Sequence, residues 1–120
     1  MQPDGEFDQL RSLVRQFVDE RDWDQFHTPK NLAAALTVEA AELLEHFQWL
    51  REGRAEELGP DKLRGVSHEM ADVLVYLVRL ADKLDVDLVA AVAEKMVLNR
   101  AKYPAEQVRG DARKYDEYKR

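Results

Sequence analysis

Two pairs of carboxylates, Glu39 with Glu42 and Glu69 with Asp72, stand three residues apart inside stretches that are otherwise strongly apolar. Residues three or four apart share a face of a helix. Glu39 therefore falls on the line of Leu32, Leu36, Leu43 and Phe47, and Glu42 on the line of Ala35, Val38 and Trp49. Glu69 aligns with Val66, Val73 and Tyr76, and Asp72 shares the Glu69 and Tyr76 side of its turn. Such stripes should face a core, where an unpaired carboxylate costs several kcal/mol or is driven to stay protonated. Any fold that buries them has to supply a cation or a dense set of hydrogen bonds. Packed together, the two pairs give four oxygen-bearing side chains, a hard donor set that suits Mg²⁺, with Mn²⁺ as a substitute.

The rest of the chain narrows what surrounds such a site. At 120 residues and 45% hydrophobic content it reads as one domain folding around a core. A formal net charge of −6, with no block of lysines and arginines, argues against a protein that grips a nucleic acid polymer through its phosphates. An acidic protein can still bind a single nucleotide through a bridging metal. Cysteine is absent, which removes disulfides and thiolate zinc sites. Residues 1–6 lack a basic start followed by an apolar run, so no signal peptide is expected. The longest apolar run, residues 73–78, is far short of the roughly 20 residues a membrane span needs. A soluble, cytoplasmic protein is the expectation.

Helical spacing of Phe7, Leu10, Val14, Phe17 and Val18 predicts a first helix over about 6–21, capped by Asp4. An aromatic-rich loop over 22–28 carries Trp23, Phe26 and His27. Thr28 and Pro29 form an N-cap and first-position pair for a second helix reaching about residue 51. Residues 52–60, with two glycines and a proline, read as a connector, and Asp61 opens a third helix to about residue 84. Asp87 caps a fourth, ending near Lys102 before Pro104. Residues 105–120 are mostly polar and read as a tail that packs weakly or stays disordered, with Val108, Tyr115 and Tyr118 its only large apolar or aromatic groups. No strand alternation and no glycine-rich phosphate loop is present. The expected fold is all-α, a four-helix bundle-like domain over 1–104. Helices two and three are apolar around more than half their circumference, which predicts self-association, at least to a dimer.

Acids three apart also arise by chance on the solvated faces of a chain that is 35% charged. Two such pairs, both on apolar stretches and both near aromatic residues, favour a functional reading. A di-iron carboxylate site needs glutamate and histidine at i and i+3, and no glutamate stands three residues before any of the three histidines. Mg²⁺ acting on a phosphorylated substrate fits better. A base would need a flat apolar slot with a few polar groups, for which Trp23 and Trp49 are candidates, with His27 and Tyr76 as polar partners. Lys95 and Asn99 share a face of the fourth helix, with Arg100 beside them and Tyr103 one turn beyond, and could balance phosphate charge. Solvation of a helix face is the competing explanation there, as core packing is for Trp49.

The pattern Glu39-x-x-Glu42 followed by Glu69-x-x-Asp72 resembles the metal motif of the all-α nucleoside triphosphate pyrophosphohydrolases, the MazG-like superfamily. Arg21-Asp22-Trp23-Asp24-Gln25-Phe26-His27, Pro29, Asn31-Leu32, Ala35-Leu36 and Phe47-Gln48-Trp49 are similar to its dCTP pyrophosphatase branch. So are Asp72-Val73-Leu74-Val75-Tyr76-Leu77, Lys95-Met96, Asn99-Arg100 and Tyr103-Pro104. The resemblance spans roughly residues 7–104. It implies Mg²⁺-dependent hydrolysis of dCTP or a modified dCTP between the α and β phosphates, to a monophosphate and pyrophosphate. By the same resemblance Glu39, Glu42, Glu69 and Asp72 hold the metal, and one of them, with the first pair favoured, takes a proton from the attacking water. Lys95, Asn99, Arg100 and Tyr103 approach the phosphates, and the assembly is a tetramer. The first helix departs from the pattern in carrying Val14 where a histidine is usual, which leaves Phe17 to close the pocket. A related enzyme acting on dUTP or another non-standard nucleotide, and a non-catalytic helical interaction module, are the alternatives.

Overall fold

The structure is a computed structural model and describes residues 5–112. Asp4, expected as a cap, and Tyr115 and Tyr118 lie outside the described residues. The described residues are helical, with no strand: α1 Glu6–Glu20, α2 Pro29–Glu45, α3 Ala55–Lys83, α4 Leu88–Lys102 and the short α5 Ala105–Val108, plus a single 3-10 turn over Asp24–Phe26. The all-α expectation holds. Thr28 caps α2, its hydroxyl accepting from the Asn31 amide at 3.1 Å, with Pro29 in the first turn. Asp87 caps α4, its carboxylate accepting from the Ala90 amide at 3.0 Å. α5 puts one turn of helix at the start of the segment expected to be an irregular tail.

Helices α1 and α3 end alike. An aspartate, Asp22 or Asp85, takes the left-handed conformation, with φ of 53° and 56°. The next amide reaches back into the helix: Trp23 N–H donates to Val18 O at 3.1 Å and Val86 N–H to Ala81 O at 2.8 Å. Aspartate tolerates this region better than most residues. The first of these caps fixes where Trp23 leaves α1.

Two boundaries differ from the sequence reading. α2 stops at Glu45, short of residue 51, because the ladder tightens to three-residue bonds, such as Phe47 N–H to Leu44 O at 2.9 Å, and the chain turns away. Beyond it the Glu57 carboxylate accepts from three consecutive amides, Arg51, Glu52 and Gly53, at 2.9, 2.9 and 2.8 Å. Those bonds hold the Glu57 carboxyl below its ordinary pKa, the Glu52 and Arg51 amides first. Gly53 sits at φ 76° with the Phe47 ring against it. α3 in turn begins at Ala55, six residues before Asp61, as one turn that anchors buried Leu58. Gly59, at φ 75° and ψ 168°, then breaks the helix and Pro60 restarts it, in keeping with proline's place at a first helical position.

The chain divides into residues 1–86 and residues 87–120. In the first unit α1 and α2 both pack on α3, and the core gathers Val14, Val18 and Val78, with Phe7 against them. Leu32 and Val66 are buried as well. Many large apolar residues of the same unit stay exposed, among them Val38 and Leu44 on α2 and Met70, Leu74 and Val75 on α3. The second unit holds α4 and α5. No helix among the described residues is long and apolar enough to cross a membrane.

Candidate metal centre and substrate slot

The crossing of α2 and α3 gathers Glu39, Glu69 and Asp72 so that one carboxylate oxygen from each lies within 4.8 Å of the other two. Glu39 and Glu69 are partly buried and Asp72 is exposed. Glu42, one turn along α2 from Glu39, is not part of that cluster. Like charges this close compete for protons. Glu39 is pushed above its ordinary pKa of 4.5, first by its hydrogen bond with Glu69 and then by burial, and Glu42 is pushed up chiefly by Glu39. The Glu69 Oε2 atom is buried with no hydrogen-bond partner. A buried carboxylate oxygen left without a donor, on a side chain clustered with two further acids, fits a cation better than it fits a packing role. Magnesium, an oxygen-seeking ion, matches this donor set.

Two recesses are lined in part by these acids. Asp72 lines an apolar slot of about 330 Å³, walled by Leu13, Val14, Phe17 and Val18 of α1, by Trp23 and His27, and by Val75, Tyr76 and Arg79 of α3. Glu42 and Glu69 line a polar recess of about 350 Å³ shared with Glu45, His46 and Gln48. Phe17 and Trp23 meet edge to face, ring centres 5.6 Å apart, and the Arg21 guanidinium lies 3.8 Å over the Phe17 ring. Trp23 stays 43% exposed, so an aromatic face remains open for a flat ligand to stack on. Of the sequence candidates for the base, Trp23, His27 and Tyr76 line this slot, as does Phe17. Val14 belongs to the core and the wall at once.

Trp49 does not share the slot. It lies beyond the end of α2, 87% exposed, so the helical line that joined it to Glu42 ends before reaching it. Lys95, Asn99 and Arg100 lie on α4, with Tyr103 as its C-terminal cap residue, in the second unit. Sequence reasoning missed Arg79. Its side chain is 7% exposed, and each of its three guanidinium nitrogens has a different partner. An arginine closing the apolar stretch 73–78 was the only signal, and it read as the end of that stretch.

Helices alone, carboxylates clustered where two of them cross, and an aromatic slot opening on one of those carboxylates are the build of an all-α enzyme acting on nucleotides. Known proteins agree. A MazG-like family model matches residues 34–118. The dCTP pyrophosphatase 1 of Homo sapiens is 44% identical over 117 residues, covering 96% of this chain and 69% of that protein. Its counterpart from Rattus norvegicus is 42% identical over 120 residues, 98% of this chain and 71% of that one. A pyrophosphatase from Archaeoglobus fulgidus, known from its crystal structure, superposes with a TM-score of 0.74 at 40% identity, over 87% of this chain and 97% of that one. The chain belongs to the MazG-like family, and its activity is that of a nucleoside triphosphate pyrophosphohydrolase.

Proposed function

We propose that this enzyme hydrolyses dCTP, or a dCTP modified on the base, to dCMP and pyrophosphate, and so removes unwanted nucleotides from the cytoplasmic pool. The observation that carries the reading is Asp72, which belongs to the carboxylate cluster and lines the aromatic slot at once. A base stacked on Trp23 and walled by Tyr76 would bring its phosphates toward the acids. Glu39, Glu42, Glu69 and Asp72 would hold Mg²⁺, which when bound neutralises charge on the phosphoryl oxygens and lowers the pKa of a coordinated water. One acid of the first pair, Glu39 or Glu42, takes up the proton of the attacking water in this reading, on the strength of the family resemblance. Water adds to the α phosphorus, the bond to the bridging oxygen breaks, and pyrophosphate leaves. His27 would supply a polar contact to the base. Lys95, Asn99, Arg100, Tyr103 and Trp49 complete the substrate contacts in this reading, on the strength of the family resemblance.

Exposed Val38, Leu44, Met70, Leu74 and Val75 on α2 and α3 support a homo-oligomer, with a tetramer the form the resemblance favours. Light scattering at micromolar concentration showing a monomer would refute that part. The test of function is pyrophosphate release from dCTP, 5-methyl-dCTP, dUTP, dTTP, dATP and dGTP, each with Mg²⁺ and with a chelator. Release that is abolished by chelator and highest with the cytosine nucleotides is expected. Release that ignores the chelator, or that favours purines, overturns the reading.

A further inference from the structure

Arg79 is hard to explain as a contribution to stability. A guanidinium withdrawn from water is costly, and replacing a buried ion pair by apolar groups of similar size is often neutral or stabilising. Yet this one is buried at the wall of a largely apolar slot. It is held by three side chains, Asp24 and His27 at the 3-10 turn and Asp82 on its own helix. Its Nη2 donates to Asp24 in the 3-10 turn, and that carboxylate also accepts from Lys83 Nζ at 2.9 Å. Its Nη1 lies 3.4 Å from Asp82, whose carboxylate accepts from Arg15 Nε of α1 at 2.7 Å. Its Nε donates to Nδ1 of His27 at 3.1 Å.

The last contact fixes a proton. Arginine carries only donors and keeps its charge at any working pH. The ring nitrogen it donates to must therefore present a lone pair, so His27 is neutral and its single proton sits on Nε2. Burial lowers the His27 pKa, and the Arg79 charge lowers it further. Asp24 opposes that trend and Lys83 adds to it. An unconstrained imidazole exchanges between two neutral tautomers and a cation near neutral pH. This one is held as a donor, in a slot whose other walls are largely apolar.

We infer that Arg79 is a positioning residue for substrate recognition: its Nε–H holds His27 in the Nε2–H tautomer, presetting the slot with one hydrogen-bond donor for an acceptor on the pyrimidine base. Cytosine offers O2 and N3 as acceptors on adjacent atoms, and a donor already in place binds them without tautomer exchange. The inference rests on the nucleotide reading for the identity of the ligand, but not for the state of the histidine.

Two experiments test it separately. Long-range ¹H–¹⁵N NMR of His27 in the substrate-free protein at neutral pH should show an unprotonated Nδ1 and a protonated Nε2, and Arg79→Lys should shift the ring toward a mixture. A wild-type ring protonated on Nδ1, or cationic, overturns the inference whatever the substrate proves to be. The second is a cycle with His27→Gln, whose amide offers a donor near the Nε2 position and needs no tautomer control. Loss of one hydrogen bond corresponds to about a tenfold rise in KM for dCTP, with kcat little changed, when Arg79→Lys is made in the natural background. The same substitution in the His27→Gln background should raise KM by less than about twofold. Equal effects in both backgrounds would make Arg79 a purely structural residue and refute the proposal. Absence of pyrophosphate release from dCTP by the wild type would instead refute the nucleotide reading and leave the NMR result to decide the state of His27.

Discussion

Replacing Glu39 by glutamine should make the metal-free protein more stable and the enzyme inactive. Glu39 lies within 4.8 Å of both Glu69 and Asp72. Two unit charges at that distance repel by about 1 kcal/mol in water and about 3.5 kcal/mol at the dielectric typical of a protein surface. Asp72 is exposed, which puts its share near the lower figure. Part of the repulsion is already relieved, because Glu39 holds a proton more readily than an ordinary glutamate through its bond to Glu69. An amide at position 39 can donate to Glu69 as that proton does, without the charge. The net gain is therefore about 1–2 kcal/mol, or roughly 3–10 °C in the melting temperature of a domain this size.

The sign with pH follows from the raised value. Glu39 has a folded pKa above the 4.5 of the unfolded chain, so its penalty is fully present above the folded value and vanishes below 4.5, where both states are protonated. Melting curves of both proteins in chelator should differ most near pH 7 and converge on acidification. Millimolar Mg²⁺ should stabilise the wild type, by about 2.7 kcal/mol at a hundredfold excess over its dissociation constant and read as a higher melting temperature, and stabilise Glu39→Gln much less. A glutamine variant no more stable than the wild type in chelator at pH 7, or one stabilised equally by Mg²⁺, would refute the reasoning.

Gly53→Ala should destabilise by about 2–3 kcal/mol in urea titrations, since a Cβ there meets Phe47 Cδ1 at 2.5 Å on a backbone with φ 76°. Asp82 is held below its ordinary pKa of 3.8 mainly by its hydrogen bond from Arg15. Its contribution is complete above 3.8 and disappears as pH falls through the lower folded value, so Asp82→Asn should be less stable than the wild type at neutral pH and converge with it in strong acid. Trp23→Ala should weaken substrate binding by about 1–3 kcal/mol through lost stacking, read as a higher KM with kcat largely kept; an unchanged KM would move the base elsewhere.

The elements legible in the sequence are those whose signal is local. Thr28 with Pro29, and Asp87, announce helix starts because capping needs only a side-chain oxygen at the right offset, and both cap as expected. The acid pairs were legible because charge inside an apolar stripe conflicts with its surroundings. Two things were not legible. The early end of α2 depends on Glu57 reaching back to three amides, an interaction between segments that no periodicity encodes. Arg79 depends on Asp24, His27 and Asp82 converging on it, the first two more than fifty residues away along the chain. Trp49 shows the cost of extending a helical line too far, since a position on a helix face means nothing once the helix has stopped.

One face of α3 joins the carboxylate cluster to the aromatic slot. Glu69, Asp72, Tyr76 and Arg79 follow one another at spacings of three and four residues, so they lie along one side of an unbroken helix that rises about 15 Å from the first to the last. Glu69 and Asp72 belong to the carboxylate cluster, while Asp72, Tyr76 and Arg79 line the slot. A base held against Tyr76 is thereby set at a fixed rise from the acids, with no loop between them to absorb a change in ligand length. The break at Gly59 lies ten residues before Glu69, outside this segment, so the part of α3 that spans site and slot stays regular. Selectivity for the base can then affect turnover without any contact to the phosphates. A base that sits at a different height in the slot misplaces the α phosphorus relative to the carboxylates, and small misplacements at a reacting centre are costly, whereas a base that keeps its place and loses one contact only binds more weakly.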